Sequence, residues 1–214
     1  MNFSRTLAKI IALLSALFLT SCAIPQKDGT TTAEDKTPKN PYPAGTYDHF
    51  KADPKYPKTH AVWKNEEVLA KTNAGNSRVR INLAKQRGYL MLDDEVAIDY
   101  PICSGIKSRP TPRGTFPITE KVVDKSSNLY GKILDSSGKV VNGNADIKKD
   151  PIPEGGKFVG APMRYWMRMT SDGVGHHVGP VRRYPASHAC VRGPSAVMPI
   201  VYSKVKIGTP IIVE

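Results

Sequence analysis

The sequence predicts a mostly β domain, a sandwich or partly open barrel carrying one or two short helices, and three observations predict it. Eighteen prolines and 17 glycines among 214 residues favour many short elements joined by turns over long helices. From Arg78 onward apolar residues recur with a period of two, the period of a strand with one buried face. A hydrophobic content of 40% with 23% charge is enough for one packed domain with extensions. It excludes a collagen, a polytopic membrane protein and a wholly disordered chain.

In chain order, residues 1–21 read as an export signal. Arg5 and Lys9 supply the positive flank, and Ile10 to Leu19 form an apolar run interrupted only by Ser15, too short for a permanent bilayer span. The run ends in Leu19-Thr20-Ser21-Cys22, which resembles a bacterial lipobox, so Cys22 is the expected lipidation site; an ordinary signal peptide or an uncleaved anchor is the alternative. Ala23 stands where an Asp would signal inner-membrane retention, and the resemblance therefore implies a lipid in the outer membrane with the protein facing the periplasm. Losing Arg5 and Lys9 with the signal lowers the formal charge from +12 to +10. Outside the cytoplasm that charge makes nucleic acid a poor partner; it is either a solvated surface, Arg182 and Arg183 included, or an attraction to an anionic wall or membrane.

Residues 22–60 carry Pro25, Pro38, Pro41, Pro43, Pro54 and Pro57 among Lys, Asp, Thr and Gly, with almost no aliphatic side chains. Such a segment buries too little apolar area to offset its ordering entropy, and a disordered tether is expected. About 38 residues of it reach about 35 Å on average and roughly 125 Å fully extended. Residues 61–76 form a lead-in, with a short helix over Ala61 to Lys71 ended by Asn73 and Gly75.

The catalytic-domain candidate is residues 77–214. Val79, Ile81 and Leu83 alternate with Arg80 and Asn82, and Val96, Ile98, Tyr100 and Ile102 repeat the pattern after a turn at Asp93-Asp94, giving half-buried strands. Thr111-Pro112-Arg113-Gly114 is a turn leading into a strand over Thr115 to Val123. Residues 124–157, rich in Ser, Gly, Asn and Asp, read as an inserted flap with a hairpin near Ser136-Ser137-Gly138. Met163, Tyr165, Met167 and Met169 alternate along the next strand, a stripe most simply read as core, and its hairpin closes at Ser171-Asp172-Gly173. A last helix is expected from Pro194 to about Val205, kinked at Pro199, before a strand over Thr209 to Val213.

Chemistry concentrates in GHHVGPVRRYPASHAC, where His176, His177, His188 and Cys190 lie within 15 residues. Strand parity turns Val174, His176 and Val178 to the core and His177 to the opposite face, with Gly175 and Gly179 leaving room beside it for a substrate. Cys190 is read as sitting just before the last helix, where the helix dipole, an imidazole and Arg192 lower a thiol pKa and make a nucleophile. Zinc held by these histidines and Cys190 is an alternative that lacks Cys-x-x-Cys or His-x-x-x-His spacing. Cys103 reads as a small buried thiol, with a disulfide to Cys190 as its other possible state.

These residues resemble the L,D-transpeptidase family with the YkuD-type catalytic domain. The family motif is a His, a loop, then Ser/Thr-His-Gly-Cys, an aliphatic residue and Arg or Asn; here it reads His177, a loop and SHACVR from Ser187 to Arg192. YPICSG and RPTPRGTF, MRYWMRMTSDGVGHH and KIGTPIIV resemble the family's remaining strands in order, and the match runs from about Ser77 to Glu214. Ala189 stands where the family has Gly, and nine residues separate His177 from Ser187.

The resemblance implies a YkuD-like β-sandwich, no cofactor and no metal. It implies Cys190 as nucleophile and His177 as general base, oriented by a main-chain carbonyl near Val178, with amides around Ala189 and Cys190 holding the oxyanion, an effect of about 3 to 4 kcal/mol per donor. Ser187, His188, Arg192 and Tyr165 are expected to shape the substrate pocket, Arg192 through its fork of donors. The implied reaction forms a thioester on a peptidoglycan stem peptide, releases terminal D-Ala and passes the acyl group to an amine; carbapenem-type inhibitors are expected. A catalytically impaired wall-binding lipoprotein on the same fold, motivated by Ala189 and the loop, and a zinc-dependent hydrolase are the alternatives.

Overall fold

A computed structural model describes residues 40–214. The expected signal, Cys22 and the first part of the tether lie outside the described residues. Helix α1 (Tyr47–Lys51) is followed by β1 (Trp63–Lys64), α2 (Glu66–Lys71), β2 (Ser77–Asn82), β3 (Arg87–Leu92), β4 (Glu95–Pro101), β5 (Gly114–Pro117), β6 (Glu120–Val122), β7 (Ser126–Leu134), β8 (Val140–Asp146), β9 (Lys157–Pro162), β10 (Trp166–Arg168), β11 (Gly175–Val178), β12 (Val191–Gly193), α3 (Met198–Ser203) and β13 (Pro210–Val213). The architecture is mostly β, in open sheets and not a closed barrel. A six-stranded sheet runs β1-β4-β3-β2-β13-β5, a four-stranded sheet β12-β11-β10-β6, and the flap is a separate three-stranded sheet β8-β7-β9. Among the described residues no helix is long and apolar enough to cross a membrane.

Alternation builds the core. In β2 the side chains of Val79 and Ile81 are fully buried, in one cluster with Leu90 of β3, Ile98 of β4, Ile211 of β13 and Met198 and Val201 of α3. The half-buried reading is corrected at β4, where Ala97, Ile98, Asp99 and Tyr100 are all wholly buried, and β3, which the pattern did not single out, has Tyr89, Leu90 and Met91 at most 2% exposed, so both faces are covered. The cover comes from residues 40–60. The expectation of a tether over that stretch is corrected as well: Thr46 caps α1 by accepting from His49 N, and Tyr47 stacks on Trp63 at 4.5 Å. Tyr47 and Tyr56 donate their hydroxyls to the Asp99 carboxylate at 2.8 and 3.1 Å, opposite Arg87 Nε at 2.6 Å. Arg87 and Asp99 are wholly buried, and the guanidinium also donates to the carbonyls of Thr59 and Ala61. Composition misjudged this strap because its anchors are aromatic rings and a buried ion pair, not aliphatic mass.

Three element boundaries differ from the sequence reading. Trp63 and Lys64 pair with Asp99 and Ile98, so the lead-in helix starts only after Asn65, whose side chain accepts from Val68 N at 3.2 Å. The strand expected over Thr115 to Val123 changes sheets: Ile118 N donates to Thr209 O and Thr119 N to Arg168 O, so β5 and β6 belong to different sheets. Residues 194–197 form a turn and α3 begins at Met198; Pro199 lies in its first turn, where the missing donor costs nothing, and does not kink it.

Candidate active site

The site forms where β11 and β12 run side by side in parallel, pairing His176 with Val191 and His177 with Arg192. Parity sends the two histidines to opposite faces. His176 is wholly buried in the core, with Nδ1 2.9 Å from Val191 O and Nε2 3.0 Å from the Tyr100 hydroxyl. Because a carbonyl only accepts, Nδ1 carries the proton and Tyr100 donates to Nε2. His177 faces the other way, with Nδ1 2.7 Å from Val178 O, so the same argument leaves Nε2 as a free acceptor. Burial holds both imidazoles down to about 4, so both are neutral at pH 7.

The space beside His177 has other occupants. A Cβ on Gly175 would lie 2.5 Å from the Trp166 indole, and one on Gly179 would lie 2.9 Å from the Arg192 stem. Gly175 therefore admits Trp166 and not substrate, whereas Gly179 makes room for the Arg192 stem and also borders the cavity that His177 faces. The Trp166 ring lies 5.8 Å from that of His177, and its Nε1 donates to Glu120 at 2.8 Å.

Cys190 immediately precedes β12 and lies eight residues before α3, so the expected helix dipole does not act on it. Burial pushes its thiol above the ordinary value of 9.0, against the pull of the Gly175 amide and Arg192. The expected lowering is thus overturned: the resting pair is a neutral thiol and a neutral imidazole. No hydrogen bond joins Cys190 to His177 among the described residues, but both border a cavity of about 330 Å³. The amides of Ala189 and Cys190 have no acceptor among the described residues. Cys103 is a free buried thiol turned to Tyr184 O at 3.3 Å, and no disulfide joins it to Cys190.

The loop that presents Cys190 is pinned by the upstream motifs. Ser104 O accepts from the amides of Ala186 and Ser187, Thr111 Oγ1 donates to Ala189 O at 2.6 Å, and Ser187 donates its hydroxyl to Cys190 O. A Cβ on Gly105 would lie 2.8 Å from the Ala189 Cα, so only glycine lets these segments pass. Ala189 has φ +79°, the left-handed conformation that glycine adopts without penalty and alanine does not.

Ser187, His188 and Arg192 border the cavity with Cys190 and His177; Ser187 is buried, and the His188 ring lies 4.4 Å from Tyr130. Tyr165 does not join them. Its φ of +55° turns the ring edge-on to Tyr202, at 5.5 Å, so its proposed pocket role is withdrawn. Tyr130, Ser127 and Met163, which the sequence reading missed, border the cavity instead. Tyr130 was findable as a lone aromatic in a polar flap. The four groups of the zinc alternative are not assembled, since His176 is committed to Tyr100 and Val191 on the far face; among the described residues no cluster of three or more His, Cys, Asp or Glu is suited to a metal.

The family model for the L,D-transpeptidase catalytic domain, YkuD, matches residues 76–213. The chain belongs to that family. Similar solved structures include an L,D-transpeptidase from Mycobacterium smegmatis, 24% identical over 65% of this chain and 58% of that one, TM-score 0.48. One from Xylanimonas cellulosilytica is 21% identical over 67% and 62%, TM-score 0.49. L,D-transpeptidase 3 from Mycobacterium tuberculosis, in complex with a faropenem-derived adduct, is 21% identical over 65% and 60%, TM-score 0.46. The transpeptidase-family chain thus spans about three fifths of these relatives' lengths. No match was found among curated proteins.

Proposed function

We propose that this family member is an active L,D-transpeptidase of peptidoglycan stem peptides, with Cys190 as nucleophile and His177 as general base. The observation that carries the reading is the free Nε2 of His177, fixed by the Val178 carbonyl, beside a cavity it shares with Cys190. The Cys190 thiol gives its proton to His177 Nε2 as sulfur bonds to the carbonyl carbon before the terminal D-Ala, and the Ala189 and Cys190 amides take the oxyanion. Collapse breaks the C–N bond, the imidazolium returns the proton to the departing D-Ala amine, and a thioester remains. An acceptor amine then gives its proton to His177, attacks the thioester and regenerates the thiol. Ser187, His188 and Arg192 border the peptide's path. Lipid at Cys22 is the proposed anchor, in the outer membrane facing the periplasm, after removal of residues 1–21.

Purified protein incubated with a tetrapeptide muropeptide should release D-Ala and form exchanged or cross-linked product, and Cys190→Ala should not; equal product from both proteins would refute the nucleophile. A carbapenem should add its mass to wild type at Cys190. A thiol that neither takes the label nor releases D-Ala would point to the wall-binding alternative that Ala189 motivates. Cys22→Ala should move the protein from the membrane to the aqueous phase in detergent partition, and an unchanged distribution would remove the anchor.

A further inference from the structure

Two cavities meet at Cys190, and they differ in charge. The smaller, of about 330 Å³, contains His177 and a single permanently charged side chain, Arg192. The larger, of about 650 Å³, runs beneath the flap and is bordered by Arg109, Lys125, Lys148, Lys149 and Arg168, against two acids. His177 does not border it.

The position of the base decides which substrate part each cavity takes. In the proposed reaction His177 serves an amine twice, protonating the one that leaves and deprotonating the one that arrives. Both amines must therefore approach from the cavity that holds His177. The departing residue is small and carries one carboxylate, which suits the smaller space and the Arg192 fork. The acyl part of the donor is left with the larger cavity, on the other side of the sulfur.

There the cations are not equally available. Arg109 is engaged by Asp146 at 3.4 Å and by the Tyr130 hydroxyl, while Lys125 and Arg168 both lean on Glu120. Lys148 and Lys149, in the turn after β8, are exposed and make no ion pair among the described residues. Resting on the transpeptidase reading, and with the acyl part of the donor in the larger cavity, we propose that Lys148 and Lys149 select a donor peptide whose stem carboxylates are free.

The test compares D-Ala release in the first turnover, without acceptor, from two tetrapeptide donors. One keeps its stem carboxylates, the other has them amidated, and both keep the terminal D-Ala carboxylate. In Lys148→Glu/Lys149→Glu the acylation rate with the free-acid donor should fall roughly tenfold, the preference over the amidated donor should vanish, and added salt should restore part of the rate. Lys139→Glu/Lys157→Glu, on the outer end of the flap, carries the same charge change and should keep the preference. Release of D-Ala with an undiminished preference for the free acid in the first variant overturns this proposal alone, as does a loss confined to aminolysis of a preformed thioester. No release by wild type overturns the transpeptidase reading and this proposal with it.

Discussion

Ala189 keeps a backbone made for glycine, at φ +79°, one residue before the thiol. A Cβ in that region costs about 1 kcal/mol or more, so Ala189→Gly should raise stability by roughly 0.5 to 1 kcal/mol while the acylation rate stays within about twofold. Denaturant midpoints and carbapenem labelling together check it; a destabilised variant would mean that Thr111 and Gly105 pay no strain to hold this turn. The neutral resting pair predicts two pH effects. Because burial raises the Cys190 thiol above its ordinary value of 9.0, its alkylation in the free protein should rise steadily with pH and still be rising at pH 9, not run flat from pH 4 as for a preformed thiolate. His176 and His177 titrate near 4 when folded and near 6.5 when unfolded, so the unfolded chain binds more protons between those values. Their stabilisation is complete above pH 6.5 and is lost as pH falls toward 4, up to about 3 kcal/mol for each imidazole. Equal unfolding midpoints at pH 7 and pH 4 would contradict it. At this scale parity in β11 made the opposite facings of His176 and His177 legible from sequence, one to the core and one to the cavity. The occupants of the gaps at Gly175 and Gly179 were not, since Trp166 and Arg192 arrive from other strands.

The flap shows what can be read of an element and what cannot. Its polar composition marks an insertion and Ser136-Ser137-Gly138 marks its hairpin, which the structure has between β7 and β8. Its closure depends on contacts no pattern announces: a Cβ on Gly131 would sit 2.1 Å from Val159 O, and one on Gly160 1.9 Å from Ser127 O. Gly160→Ala should therefore spread β7 from β9, displace Ser127 and Tyr130 from the cavity and slow acylation at least about tenfold. Amide exchange in β2, β3 and β4 should stay as in wild type, because the flap is a separate sheet. Loss of protection throughout would show that the flap also supports the main fold. The last helix is where the sequence places it, but its start and the kink at Pro199 were misread for a complementary reason. Proline marks a helix start and a kink with the same letter, and only the turn at 194–197 distinguishes them.

For the whole molecule, the strap over residues 40–60 turns a one-faced sheet into a covered one. Asp99→Ala leaves the Arg87 guanidinium buried without its counter-charge and should cost about 3 to 5 kcal/mol, where Asp99→Ala/Arg87→Met should recover much of it. A single variant as stable as wild type would mean that water reaches the pair. The mostly β class was legible because strand periodicity dominates the chain, yet sheet membership was not, since β5 and β6 diverge within two residues. The strap also touches the loop behind the site, where Arg183 donates to Lys58 O at 2.6 Å.

The parallel pairing of β11 and β12 has a consequence for how such a chain can diverge. A parallel pair is joined by a detour instead of a hairpin, so the intervening segment can gain or lose residues without disturbing the rungs that carry the imidazole and begin one residue after the sulfur. A one-residue slip within β11 has no such freedom. It would swing the imidazole at 177 into the interior and offer the cleft its neighbour at 176, which lacks the Val178 tether. Lineages sharing this architecture are thus free to experiment with the bridge and are held rigid at the rungs.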